Sequence, residues 1–198
     1  MTKNGAGILY VVDDPSLENT TAVLAESTHS GLLEIPGGKQ DKTDSSTVHT
    51  AVRESIEEFG LHPSLYRPMI QYIMKNTRTV ALRHGSVTYV LYIVKISYFD
   101  FNAANSMAIR RLAAFKKLPK RDKTLLSPIV EMKSYIPIDI KISRHDKHIQ
   151  VNGKHVRHRD ALLLKNKHLV PKITKLLMDM DTPPFPLRFT FVDFDSIV

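Results

Sequence analysis

The sequence predicts an α+β fold in which helices cover a mixed β-sheet. Strand-like runs stand on both sides of one sharply patterned helix at 46–59, and the run Ser86–Ile96 is apolar on both faces, as a central strand covered on each side must be. The length of 198 residues allows one domain, 1–198, with a basic elaboration over about 104–175, but not two full domains.

In chain order, Ala6–Val12 reads as a strand closed by Asp13-Asp14-Pro15-Ser16, with Thr21–Ala25 as its hairpin partner. Leu32–Ile35 reads as a short strand entering a tight turn at Pro36-Gly37-Gly38. From Ser46 the apolar period changes from two to about 3.6, and Gly60 supplies the helix stop. Tyr66–Lys75 and Thr79–Arg83 read as extended. In Ser86–Ile96, Val87, Tyr89, Leu91 and Ile93 alternate with Val90, Tyr92, Val94 and Ile96. Met107–Leu118 is expected to be a short helix with Ile109, Leu112 and Ala113 inward and Arg110, Arg111, Lys116 and Lys117 outward. Ile129–Ile142 is extended but interrupted by Pro137, and Asn152-Gly153 marks a hairpin. A last helix is expected over Pro171–Met180, followed by an extended Pro- and Phe-rich tail.

Hydrophobic residues make up 42% and charged residues 24%, the balance of a globular chain. The absence of Cys excludes disulfides, thiolate chemistry and Cys-ligated metal sites. No run approaches the ~18 apolar residues of a membrane span, and no signal segment opens the chain, so a cytoplasmic protein without membrane attachment is expected. The net charge of +8 is uneven: Ala104–Lys175 holds 18 Lys/Arg against 5 Asp/Glu, and the rest 10 against 15. Such a split points to an acidic, cation-holding centre beside a basic surface for a polyanion, with a merely solvated basic face as the alternative.

On the 46–59 helix, Val48, Val52, Ile56 and Phe59 form the buried stripe, and Glu54, Glu57 and Glu58, spaced i, i+3 and i+4, share another face. Like charges at this spacing repel, and acids near a helix C-terminus oppose its dipole. A bound Mg²⁺ or Mn²⁺ would turn that conflict into ligation, because hard divalent ions take carboxylate oxygens. Taken alone, the triplet is equally consistent with a solvated acidic face.

The preceding loop adds a motif. Gly38 and, further on, Arg53-Glu54-Ser55-Ile56-Glu57-Glu58-Phe59-Gly60-Leu61 resemble the Nudix box, which runs from a glycine through a glutamate to R-E-U-x-E-E-x-G-U, with U aliphatic. Three departures stand out: Asp44 replaces the first glutamate, eight residues rather than seven separate it from Arg53, and Ser55 replaces an aliphatic residue. Ser45, Ser46 and Thr47 are the candidate helix N-caps.

The resemblance implies a Nudix-like fold and a metal-dependent pyrophosphohydrolase. By that likeness Glu57 and Glu58 would ligate Mg²⁺ or Mn²⁺ with the Gly37 carbonyl. Glu54 would be a further ligand or the base for water, Arg53 would brace the loop through carboxylate contacts, with Asp44 as the candidate partner, and Gly38 would support the loop. Glu131, before Met132-Lys133-Ser134-Tyr135, is the candidate acid outside the helix. The loop and basic segment also resemble Nudix proteins of large cytoplasmic DNA viruses and insect viruses, some acting on mRNA caps and others on ADP-ribose. That would place the protein in a host cytoplasm.

Capped RNA is therefore the expected substrate, its phosphates meeting Lys39, Arg110, Arg111, Lys116, Lys117, Lys120, Arg121, Arg144, Lys147, Arg157 and Arg159. The alternatives are a nucleotide-like polyphosphate, namely ADP-ribose, a dinucleoside polyphosphate, a nucleoside di- or triphosphate or a diphosphoinositol polyphosphate, and a non-catalytic RNA-binding role on the same scaffold. His145 and His148 have a zinc-compatible spacing but no supporting ligand, so surface or phosphate contact is the expectation for them.

Overall fold

The computed structural model describes residues 3–13, 21–76, 78–84, 86–119, 131–139, 149–178 and 184–192. Its centre is a pair of long parallel strands, β1 (Lys3–Asp13) and β6 (Val87–Ser97), in register from Lys3↔Val87 to Asp13↔Ser97. Both alternate between two apolar faces. Ala6, Ile8, Tyr10, Val12, Val94 and Ile96 point into one core, and Leu9, Val11, Tyr89, Leu91 and Ile93 into the other. A strand apolar on both faces must be covered on both, and both are.

On the first face lie α1 (Thr47–Phe59), α2 (Tyr66–Asn76) and α3 (Tyr98–Lys117). On the second lie α4 (His158–Leu164) and α5 (Leu169–Met178), with a small hairpin, β8 (Gln150–Val151) and β9 (Lys154–His155), nearby in the chain. The hairpin turns on Asn152 (φ 51°) and Gly153 (φ 77°), the left-handed pair that an Asn-Gly turn supplies. The mixed sheet with helices on it is the α+β arrangement expected. Among the described residues, no helix is long and apolar enough to cross a membrane.

The remaining strands make a splay that positions the site. β2 (Thr21–Ser27) pairs antiparallel with β1 at Tyr10↔Val23 and Val11↔Ala22, and then the two diverge. The segment 33–39 fills the gap: β3 (Leu33–Glu34) pairs with β2, and β4 (Gly37–Lys39) pairs with β1 at Gly5–Gly7. Pro36 sits at the crossing, its carbonyl accepting the Ile8 N–H at 3.0 Å. The expected tight turn at Pro36-Gly38 is thus a strand entry, because the open edge of β1 captures the chain. β5 (Arg78–His84) and β7 (Met132–Asp139) extend the sheet beside β6 and β2. β7 carries Pro137 opposite Val23.

Three expectations are corrected. Tyr66–Lys75 is helical: Met69, Tyr72 and Ile73 are buried at helical spacing, and the 3-10 turn Pro63–Leu65, whose Ser64 N–H is accepted by His62 Nδ1 at 3.2 Å, starts the helix. Packing overrides the strand preference of its aromatic and β-branched residues. α3 begins nine residues earlier than expected, because Ser97 Oγ accepts the Asp100 N–H at 3.1 Å as an N-cap. Its buried face runs through Phe101, Ala104, Ala108 and Arg111, so Ile109 and Ala113 lie outside and Arg111 inside. The short α4 was not expected at all.

The tail at 184–192 lies against the body as expected, with bends at Pro184, Pro186 and Leu187. Phe185 N–H bonds the Lys95 carbonyl (2.8 Å), and His62 N–H bonds that of Thr190 (2.7 Å). Phe185 and Phe189 are buried in the first core.

Candidate active site

α1 is set by its apolar face and its stop. Val48, Ala51, Val52 and Phe59 are buried, and Gly60 (φ 57°) ends the helix in the left-handed conformation. Ser46 occupies the N-cap position, although its hydroxyl pairs with His49 Nδ1 at 2.8 Å rather than with a helix amide. Ser55, where the Nudix box has an aliphatic residue, is fully buried and shares a hydrogen bond with the buried Tyr10 hydroxyl. Phe59 stacks on Tyr135 at 4.1 Å, and the Tyr135 hydroxyl donates to the Glu58 carbonyl at 2.9 Å.

Arg111 closes the helix end. Its guanidinium is buried and donates to the carbonyls of Phe59 (3.1 Å), Gly60 (2.6 Å) and Val192 (2.9 Å). A Cβ on Gly60 would run into that guanidinium, a second reason for glycine there besides its positive φ. This places Arg111 away from the phosphate-binding role expected of it.

The acids of α1 divide by burial. Glu58 is nearly buried, and its Oε2 accepts the Gly37 N–H at 2.9 Å; Glu54 lies directly over Gly38, where any Cβ would overlap its carboxylate; Glu57 is more than half exposed. Burial pushes the Glu58 carboxyl well above the usual range, and the charges of Glu54, Glu131 and Glu34 push the same way against the Gly37 amide. Burial likewise raises Glu54, with Arg53 opposing and Glu57 and Glu131 adding. Glu131 is raised by burial, then by Glu57 and Glu34, with His29 opposing. Its backbone carbonyl is held by both the N–H and hydroxyl of Thr28, at 2.8 and 2.9 Å.

One cation sits among these acids. Arg53 reaches Asp44 Oδ2 (3.0 Å), Glu54 Oε1 (2.9 Å), Glu57 Oε2 (3.0 Å) and the Lys39 carbonyl (3.2 Å). Burial alone would raise the Asp44 carboxyl, but hydrogen bonds from Arg53 and the Asp41 amide hold it below the usual range. The extra residue between Asp44 and Arg53 is accommodated without separating them.

Glu34, which sequence reasoning passed over, belongs to the same electrostatic group and pairs with Arg157 at 2.5 Å. The available signal was a lone acid between Leu33 and Ile35 in a strand, which alternation places on the opposite face from its apolar neighbours.

Hard oxygen donors whose carboxyls are raised by burial, and further by one another's charge, suit Mg²⁺ or Mn²⁺. Glu54, Glu57, Glu58 and Glu131 are the candidates that could hold one. Among the described residues, no three acidic or histidine side chains form a ready-made metal cage.

Of the basic residues expected to meet phosphate, Arg159 pairs with Asp160 (2.6 Å) and Arg157 with Glu34. Lys39, Arg110, Lys116 and Lys117 are exposed. Lys120, Arg121, Arg144 and Lys147, with His145 and His148, lie outside the described residues. A groove of about 570 Å³ opens beside Arg53 and Glu57, walled by Ile56 and Pro63 and flanked by Tyr66 and Arg67.

No family model matches the chain. Over 39 residues, 20% of this chain, it is 54% identical to Nudix hydrolase 15, mitochondrial, and to Nudix hydrolase 22, chloroplastic, both of Arabidopsis thaliana. The match spans only 14% and 13% of those two proteins. In fold, the whole chain superposes on 77% of a MutT/nudix family protein from Enterococcus faecalis, with a TM-score of 0.50 at 13% identity. The chain thus carries a segment similar to these Nudix hydrolases on a mixed-sheet α+β fold of the Nudix type.

Proposed function

We propose that the protein is a divalent-metal-dependent pyrophosphohydrolase that cleaves a phosphoanhydride bond in a small nucleotide-linked substrate. ADP-ribose, dinucleoside polyphosphates and nucleoside di- or triphosphates define the class. The carrying observation is the placing of the α1 acids at the Gly37–Gly38 strand entry: Glu58 accepts the Gly37 N–H, Glu54 lies over Gly38, and Arg53 joins Glu54 to Glu57.

Glu57 and Glu58 would hold the ion with Glu54 or Glu131 and the Gly37 carbonyl. When bound, the ion offsets charge on the phosphoryl oxygens and acidifies the attacking water. Glu54 would take the proton of that water, and a raised carboxyl is a better base near neutral pH than an ordinary one. Arg53 would hold Glu54 and Glu57 in place from its anchor on Asp44. In the adjoining groove, Tyr66 would stack on the base and Arg67 would meet a phosphate of the substrate's non-reacting part.

A small substrate is preferred over an RNA cap because the basic stretch is partly committed inside the protein. Arg111 serves backbone carbonyls, Arg157 and Arg159 serve Glu34 and Asp160, and Lys133 and Lys154 both bind Glu26, at 3.0 and 2.6 Å. Turnover with Mg²⁺ or Mn²⁺ should be measured on ADP-ribose, diadenosine polyphosphates, nucleoside diphosphates, diphosphoinositol polyphosphates and capped RNA. Preferred release of a phosphate product from one of the small nucleotides supports the reading. Preference for capped RNA would return the substrate to the cap, and no turnover on any of them would leave a binding protein.

A further inference from the structure

The segment that presents Gly37 to Glu58 is held from behind by residues more than a hundred positions later. The Leu33 carbonyl accepts the Arg157 N–H at 2.7 Å, beside a bridge between Leu33 and Val156. Ile35 lies between the end of β3 and the start of β4, so the two strands' ladders give it no partner. Its N–H donates to Asp160 Oδ2 at 3.0 Å, and its carbonyl accepts Arg159 Nη2 at 3.1 Å.

These two side chains are also locked to each other. Arg159 Nε donates to Asp160 Oδ1 at 2.6 Å and Nη2 to Oδ2 at 3.1 Å. Asp160 is fully buried, and the Arg159 guanidinium lies 4.3 Å from the ring centre of Tyr89. The Tyr89 ring in turn lies under Gly7 and Gly37, where a Cβ on either glycine would meet its hydroxyl.

A buried ion pair is costly to desolvate and is by itself weak support for stability. Here it gives both polar groups of Ile35 a partner, two residues before the amide that binds Glu58. Moving Asp160 would free Ile35, and Pro36 would pass the displacement to Gly37, because its ring fixes φ and it has no N–H of its own. We infer that Asp160, with Arg159, is a positioning pair for the carboxylate centre, which makes the C-terminal elaboration part of the site's construction and not an accessory basic surface. The inference rests on the proposed metal centre.

The test compares full-length wild type with Asp160→Ala and with Leu164→Ala. Leu164 is buried in the second core on the same helix, so its variant controls for lost stability. Two quantities are read without substrate: Mn²⁺ affinity by calorimetry and the exchange rate of the Gly37 amide by NMR. Asp160→Ala is expected to weaken Mn²⁺ about tenfold, as loss of outer support does at metal sites, and to speed Gly37 exchange at least as much. Leu164→Ala should change neither beyond what its stability loss explains. If Asp160→Ala does not fold, Arg159→Met/Asp160→Ala removes both buried charges together while still stripping Ile35 of both partners, and the same result is expected. Unchanged Gly37 exchange would overturn the inference, and so would faster exchange with unchanged Mn²⁺ affinity. A wild type that binds no Mn²⁺ would overturn the metal-centre reading first, and the positioning claim with it, before any variant is compared.

Discussion

Replacing Arg111 with Met should loosen the end of the helix that carries Glu57 and Glu58. Three carbonyls, those of Phe59, Gly60 and Val192, lose the guanidinium at once, although that of Gly60 keeps the Val192 N–H at 3.1 Å. A buried acceptor left without a partner costs ~1–3 kcal/mol. Against this, the change removes a buried guanidinium whose own partners are carbonyls rather than a carboxylate, which returns part of a desolvation penalty of several kcal/mol. Phe191 and Val192 are only partly buried, so water can reach some of the freed carbonyls. The balance is a loss of ~2 kcal/mol, which for a chain of this length lowers Tm by ~4–8 °C. Thermal unfolding followed by circular dichroism measures this directly. A Tm within ~1 °C of wild type would refute the reasoning, because it would mean that the helix end does not depend on the guanidinium.

Other outcomes follow from the same geometry. Gly38→Ala places a methyl group against the Glu54 carboxylate, and steady-state kinetics should show kcat falling by about a hundredfold, the scale of an ångström's misplacement of a reacting group. Tyr66→Ala should raise KM several-fold with kcat retained, whereas Tyr66→Phe, which keeps the ring, should do little; equal effects would remove Tyr66 from a stacking role. In the absence of divalent ions, stability should fall as pH rises from the ordinary carboxylate range through the raised values of Glu54 and Glu58. The sign follows because a raised carboxyl binds more protons folded than unfolded, so folding is favoured at lower pH. Melting curves from pH 4 to 8 should show this slope, and added Mn²⁺ should flatten it.

Much of the site was legible because its spacing is local. Glu54, Glu57 and Glu58 fall on one face of a helix whose period and stop are written in thirteen residues. β6 was equally plain, since both of its alternating faces are apolar. What escaped reading depends on contacts between distant segments. Arg111 looks like an outward cation on a basic helix until Gly60, 51 residues earlier, leaves room for its guanidinium. Arg157 and Arg159 look like phosphate ligands until Glu34 and Asp160 claim them. Tyr66–Asn76 has the residue types of a strand, and only the burial of Met69, Tyr72 and Ile73 on one stripe makes it a helix. Ser55 looks like a flaw in an apolar stripe until Tyr10 supplies its partner.

The central claim is that crowded carboxylates on α1 exist to hold a divalent ion for phosphoanhydride cleavage. Its most direct test is a Mn²⁺ and Mg²⁺ titration of turnover on the preferred small nucleotide, for wild type, Glu57→Gln and Glu58→Gln. The account predicts saturable activation of wild type, none in chelator, and a loss of at least a hundredfold in kcat for each variant on the scale of transition-state charge stabilisation. Full turnover in chelator, or variants that match wild type at every metal concentration, would contradict it.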